Sequence, residues 1–122
     1  MAELSTYMED RIVNFMRNVA ITGQAAAYVA LFTGAASTAG LEAGTLTGEV
    51  SGGAYARQLA GLSASADGVS ANAGDITFPT ATADWGIVTY VALMDALTAG
   101  NVLMHSLLDV AKTVNSGDTF KI

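Results

Sequence analysis

Two five-residue runs, Tyr28-Val-Ala-Leu-Phe32 and Tyr90-Val-Ala-Leu-Met94, do most to limit what this chain can become. On an extended backbone successive side chains point to opposite sides. Tyr28, Ala30 and Phe32 therefore share one face, and Val29 and Leu31 the other. Both faces are apolar, so each run reads as a strand covered on both sides. The echo between the runs is short enough to come from two core strands meeting the same packing demand, and it is not used as a sign of duplication.

Glycine-rich and serine-rich stretches separate further strand candidates. The segment from Thr33 to Gly53 reads as a long exposed loop with a short edge strand near Gly48 to Val50. Tyr55 to Leu62 is the next strand, and Asp75-Ile-Thr-Phe78 alternates polar and apolar up to Pro79, which has no amide to donate and marks a strand end. Trp85 to Met94 is the strongest strand. A turn at Thr98-Ala-Gly-Asn101 then pairs it with Val102 to Leu108 as a hairpin. A last turn at Asn115 to Asp118 precedes a clipped strand, Thr119 to Ile122. Many short strands with small-residue turns predict a mainly β fold, an antiparallel β-sandwich or jelly-roll-like barrel.

The exception is the N-terminus, which carries a helical period. Thr6 and Glu9 have the spacing of a capping box, and Met8, Ile12, Phe15, Met16 and Val19 follow on one stripe. The helix is expected to end between Asn18 and Gly23, giving a helical arm over residues 1–23 and a β-sandwich domain over 24–122. The stripe has two readings. It covers the domain's own core, or it docks on a neighbouring subunit through Met8, Ile12, Phe15 and Met16, where the methionines suit an imperfect groove.

Composition narrows the function. Apolar residues are 52% of the 122 and charged residues 13%, against roughly 25% charged in an average soluble domain. No apolar run approaches the ~18 residues of a membrane-spanning helix, so a membrane role is not expected. The excess points instead to a subunit that hides part of its surface in an assembly. Net charge is −6, and the five cations, Arg11, Arg17, Arg57, Lys112 and Lys121, are scattered, which disfavours direct nucleic-acid binding. The absence of cysteine removes disulfides and thiolate chemistry. The acidic start of the chain does not fit a secretory signal.

Chemistry is thin. His105 is the single histidine, lies in a strand and reads as structural, so no metal site and no cofactor are expected. Asp67, Asp75, Asp84, Asp95, Asp109 and Asp118 sit beside glycines or at strand ends, where carboxylates cap turn amides, without the alternation of a calcium loop. Ser51-Gly-Gly53 and Asn115-Ser-Gly-Asp118 share only glycine content with phosphate loops. Trp85 is either a buried core residue or an exposed platform for a sugar. An enzyme is not expected.

Four blocks carry a resemblance: Tyr28-Val-Ala-Leu-Phe-Thr33; Glu49-Val-Ser-Gly-Gly-Ala-Tyr-Ala-Arg57; Ile76-Thr-Phe-Pro79 with Asp84-Trp-Gly86; and Lys112-Thr-Val-Asn-Ser-Gly-Asp-Thr-Phe120. In this order they resemble a family of small tailed-bacteriophage virion proteins, known as tail-fibre or minor structural proteins, some of them similar to capsid cement or decoration proteins. The resemblance spans most of residues 7–120. It implies a virion component made in the bacterial host cytoplasm and assembled in multiple copies. Family members usually continue past Gly-Asp-Thr-Phe into another strand, so closure by a shorter strand or by a neighbour's strand is expected here.

The leading expectation is thus a capsid cement or decoration protein on the capsid surface. Its partners would be the major capsid protein and further copies of itself in a homo-oligomer, with no nucleic acid and no membrane. The alternatives are a tail or tail-fibre component and a carbohydrate-binding receptor module using Trp85 and the loop aspartates.

Overall fold

A computed structural model describes residues 2–122. The elements run β1 (Glu3–Leu4), α1 (Thr6–Met16), β2 (Tyr28–Thr33), α2 (Thr38–Glu42), β3 (Gln58–Leu59), β4 (Gly86–Met94) and β5 (Val102–Val114). The strands form one antiparallel sheet in the order β1-β5-β4-β2-β3. The fold is mainly β with an N-terminal helix.

The two echoed runs pair with each other at the centre of the sheet, Tyr28 opposite Met94 and Phe32 opposite Tyr90. Their two apolar faces go to two separate cores. On one side Ala30 and Phe32 pack with Ala92, Met94, Val102 and Leu41. On the other, Val29 and Leu31 join Val88, Val114, Ile76, Phe78 and Trp85.

What covers the second face is irregular chain rather than a second sheet. Residues 61–75 are exposed throughout, and the segment pairs only in the isolated bridges Leu62–Asn72 and Ala66–Val69. Small residues supply too little side chain to bury a second pleated surface. Rings do the covering: Tyr55 and Phe78 stack at 6.1 Å, while Trp85 and Phe120 meet Phe78 edge-on. The expected alternation at Asp75–Phe78 holds, with Ile76 and Phe78 buried and the backbone of Phe78 donating to Phe120. Hence the C-terminal segment closes on residues 76–78 of its own chain.

Three local expectations change. The strand over Tyr55–Leu62 shrinks to β3, because only Ala60 there buries an aliphatic side chain. The loop from Thr33 to Gly53 contains α2, capped by the Ser37 hydroxyl, which accepts from the Gly40 amide at 3.0 Å, and anchored by buried Leu41. Its bridge, Phe32–Glu49, falls where the edge strand was expected. Finally, the cap of α1 is Ser5 and not Thr6. The Ser5 hydroxyl accepts from the Met8 amide at 3.3 Å and donates to the Val102 carbonyl, while its own amide donates to Leu103 at 3.0 Å. Those bonds to β5 fix Ser5 at the helix start and leave it wholly buried.

The β4–β5 hairpin closes at Asp95, whose carboxylate accepts from the Asn101 amide (2.7 Å) and the Asn101 side chain (2.9 Å). Gly100 has φ +76°, and a Cβ there would come within 2.4 Å of the Asp95 carboxylate. Only glycine fits.

Candidate functional site

Helix α1 buries none of its eleven residues. Tyr7, Met8, Arg11 and Asn14 are half-buried, and the rest of the helix, charged Glu9 and Asp10 included, is exposed. The apolar stripe is turned outward. Ile12 lies at the margin of exposure, Phe15 is 63% exposed and Met16 77%, and Val13, Val19 and Ile21 extend the patch. Of the four anticipated docking residues, Ile12, Phe15 and Met16 are thus brought together on open surface, whereas Met8 sits partly beneath them.

Two features hold the arm in this pose. At its base, β1 pairs Glu3 with His105 and Leu4 with Met104, so the first residues of the chain belong to the sheet. At its far end, the left-handed Asn18 (φ +66°) stops the helix, and the chain folds back until Arg11 reaches the Thr22 carbonyl. The Arg11 guanidinium also lies 5.4 Å above the Tyr7 ring.

A second exposed patch lies on β5. Between Val88 opposite Lys112 and Tyr90 opposite Leu107, two steps along β4 span five along β5, so β5 bulges outward. Leu107 and Val110 are more than half exposed there. Beyond the two residues that β1 covers, this strand borders an open groove of about 710 Å³ between Leu108–Val114 and Asp118–Ile122.

Trp85 and the turn aspartates Asp84 and Asp118 have partners within the fold. Trp85 is 6% exposed, donates its indole N–H to the Gly53 carbonyl at 2.9 Å and packs edge-on to Tyr55 at 5.5 Å, so it has no open face for a sugar. A Cβ on Gly53 would stand 2.9 Å from that indole nitrogen, which is why this glycine run serves close packing. Asp84 and Asp118 accept from the Ser116 and Asn115 amides, as turn caps should.

Buried Arg57 forms a two-pronged ion pair with Glu49 (2.7 and 2.8 Å) and donates to the Ala96 and Ala99 carbonyls (2.8 and 2.7 Å). The Tyr55 hydroxyl donates to Glu49 at 3.0 Å and accepts from the Leu31 amide at 3.1 Å. Burial pushes the Tyr55 phenol well above its ordinary range, with the Glu49 charge adding and the Leu31 amide opposing. The hydrogen bond to Glu49 likewise raises Arg57. This clamp fastens the β4–β5 turn to residues 49–57, a role the sequence reading did not assign.

His105 is buried, and its Nε2 lies 2.7 Å from Glu42 Oε2 at the end of α2. Glu3 faces it from β1, and one ligand-type atom from each of Glu3, Glu42 and His105 lies within 4.8 Å of the others.

The fold is a small β-rich body that leaves apolar side chains of α1 and β5 exposed. The chain matches the family model described as podophage GP4 fiber I protein gp80 over residues 3–122, and it belongs to that family. It is a bacteriophage virion structural protein. No curated protein matches the sequence. Among the described residues no helix is long and apolar enough to cross a membrane.

Proposed function

We propose that this protein is a fibre component of the podophage tail that works by contact and performs no catalysis, with α1 as its docking arm. The observation that carries the reading is that α1 buries none of its residues and leaves apolar Ile12, Phe15 and Met16 open to solvent. A stripe of this kind is stable in water only because few residues form it, and it gains free energy when a neighbour covers it.

The favoured occupant is another copy of the chain. An eleven-residue helix is only about 16 Å long. A standard interface removes about 800 Å² from each partner, so the stripe needs Val19, Ile21 and the β5 bulge to complete a stable contact. Repetition along a fibre would then multiply weak contacts into a durable one. Capsid cement would use the same arm, but the fibre designation of the family favours the tail.

The test is a triple variant, I12E/F15E/M16E, studied by sedimentation and by incorporation into virions. Wild-type chain is expected to self-associate and the variant to remain monomeric with an unchanged circular-dichroism spectrum. Association undiminished in the variant would remove the arm from the account. Copy number per virion separates the locations, few copies at one vertex for a fibre and many over the shell for a cement protein.

A further inference from the structure

We infer that Glu3, Glu42 and His105 form a binding site for a divalent transition metal, with zinc the best fit, at the point where the arm joins the sheet. Three separate elements supply the ligands. β1 presents Glu3 directly opposite His105 of β5, and α2 ends at Glu42 beside the same ring. Pairing in an antiparallel ladder puts Glu3 and His105 on one face, which is also the face that α2 covers through Leu41.

The histidine carries the argument. It is 2% exposed, and among the described residues the only group that hydrogen-bonds its ring is Glu42, itself a member of the set. A buried imidazole aimed between two carboxylates is thus available to a cation that both carboxylates would attract. Charge points the same way: among the described residues neither Glu3 nor Glu42 is paired with a lysine or arginine. Two negative charges converge on one ring with no fixed cation to offset them.

The three ligand atoms lie within 4.8 Å of one another, so the exposed Glu3 closes in while Glu42 draws back from the ring. Ligands of a four-coordinate zinc at about 2.0–2.2 Å stand roughly 3.4 Å apart. The 2.7 Å contact between His105 and Glu42 must open by less than an ångström, and the Glu42 side chain, about a third exposed, is free to do so while the ring stays fixed. Thr6 donates to the other Glu42 oxygen at 3.4 Å and would steady the carboxylate as an outer partner. Water would complete the shell on the exposed Glu3 side. One imidazole with two carboxylates suits zinc or its neighbours rather than calcium, which takes oxygen ligands in larger number.

Bound metal would tie β1 and α2 to β5 and so stiffen the base of the arm. The site stands apart from the fibre reading and holds or fails without it. The test is calorimetric titration of the metal-stripped full chain with zinc chloride, alongside cobalt(II) absorption as a report on ligand geometry. One equivalent should bind, and E3Q and E42Q should each weaken binding by about tenfold or more, the loss that even an outer-shell partner causes. Both positions are accessible, so folding of these variants, checked by circular dichroism, is expected to survive even where H105Q does not fold. No zinc uptake by wild type at millimolar concentration, or unchanged affinity in both glutamate variants, would overturn the assignment.

Discussion

The clamp around Arg57 and the helix α1 treat polar and apolar groups in opposite ways. At the clamp a guanidinium is buried, and every bond it makes is to a carboxylate or a carbonyl that also needs a partner. In α1 no residue is buried, and apolar Ile12, Phe15 and Met16 stand open to solvent. The first region spends its side chains on the fold of one chain. The second leaves them for a neighbour, so stability and association should respond to different residues.

The largest effect on stability is expected at Arg57. Replacement by methionine keeps the bulk but strands Glu49 and two carbonyls, and breaking a buried pair from one side costs about 3–5 kcal/mol. Urea unfolding should show it. A loss below about 1 kcal/mol would mean that water replaces the guanidinium and that the clamp is not a buried network.

Next comes the turn that the clamp holds. Gly100→Ala forces a side chain into left-handed backbone and against the Asp95 carboxylate, at a cost of about 1–2 kcal/mol for the conformation alone. Thermal unfolding should register the loss, and an unchanged melting temperature would mean that the turn relaxes to accept a side chain.

Legibility followed the same division. The strands of the sheet centre were readable because Tyr28–Phe32 and Tyr90–Met94 are apolar runs with aromatic and β-branched residues, too short for a buried helix. Helix α2 was not, since Thr38-Ala-Gly-Leu-Glu42 shows no stripe and is held by one buried leucine. The stripe of α1 was visible but not its direction, which depends on how β1 and Ser5 fasten the start of the helix to β5. The cap expected at Thr6 falls one residue earlier, because the bonds of Ser5 to β5 fix that hydroxyl at the helix start. The Glu3, Glu42 and His105 set was beyond reach, because β pairing and a helix end bring together residues from three distant parts of the chain.

Tyr55 gives the clamp a pH signature that the arm lacks. Its phenol holds its proton more tightly folded than unfolded, so its contribution is complete below the ordinary tyrosine value of 10.0 and is lost as pH rises beyond it. By pH 11 the protein should be weaker by about 1 kcal/mol from this group. Tyr55→Phe should flatten that alkaline decline in urea unfolding curves measured from pH 8 to 11. An equally steep decline in the variant would assign it to other groups.

The smallest effect should come from the arm, where Phe15→Gln removes the most exposed ring on the helix. An exposed substitution away from special contacts changes stability by no more than about 0.5 kcal/mol, and glutamine is at least as good a helix former as phenylalanine. The monomer's unfolding curve should therefore barely move. A loss above about 2 kcal/mol in dilute, monomeric protein would place Phe15 in the chain's own core and erase the contrast with Arg57, because the stripe would then be working for the fold that carries it. An unchanged monomer that no longer associates would show instead that the same side chain is neutral to folding and necessary to assembly.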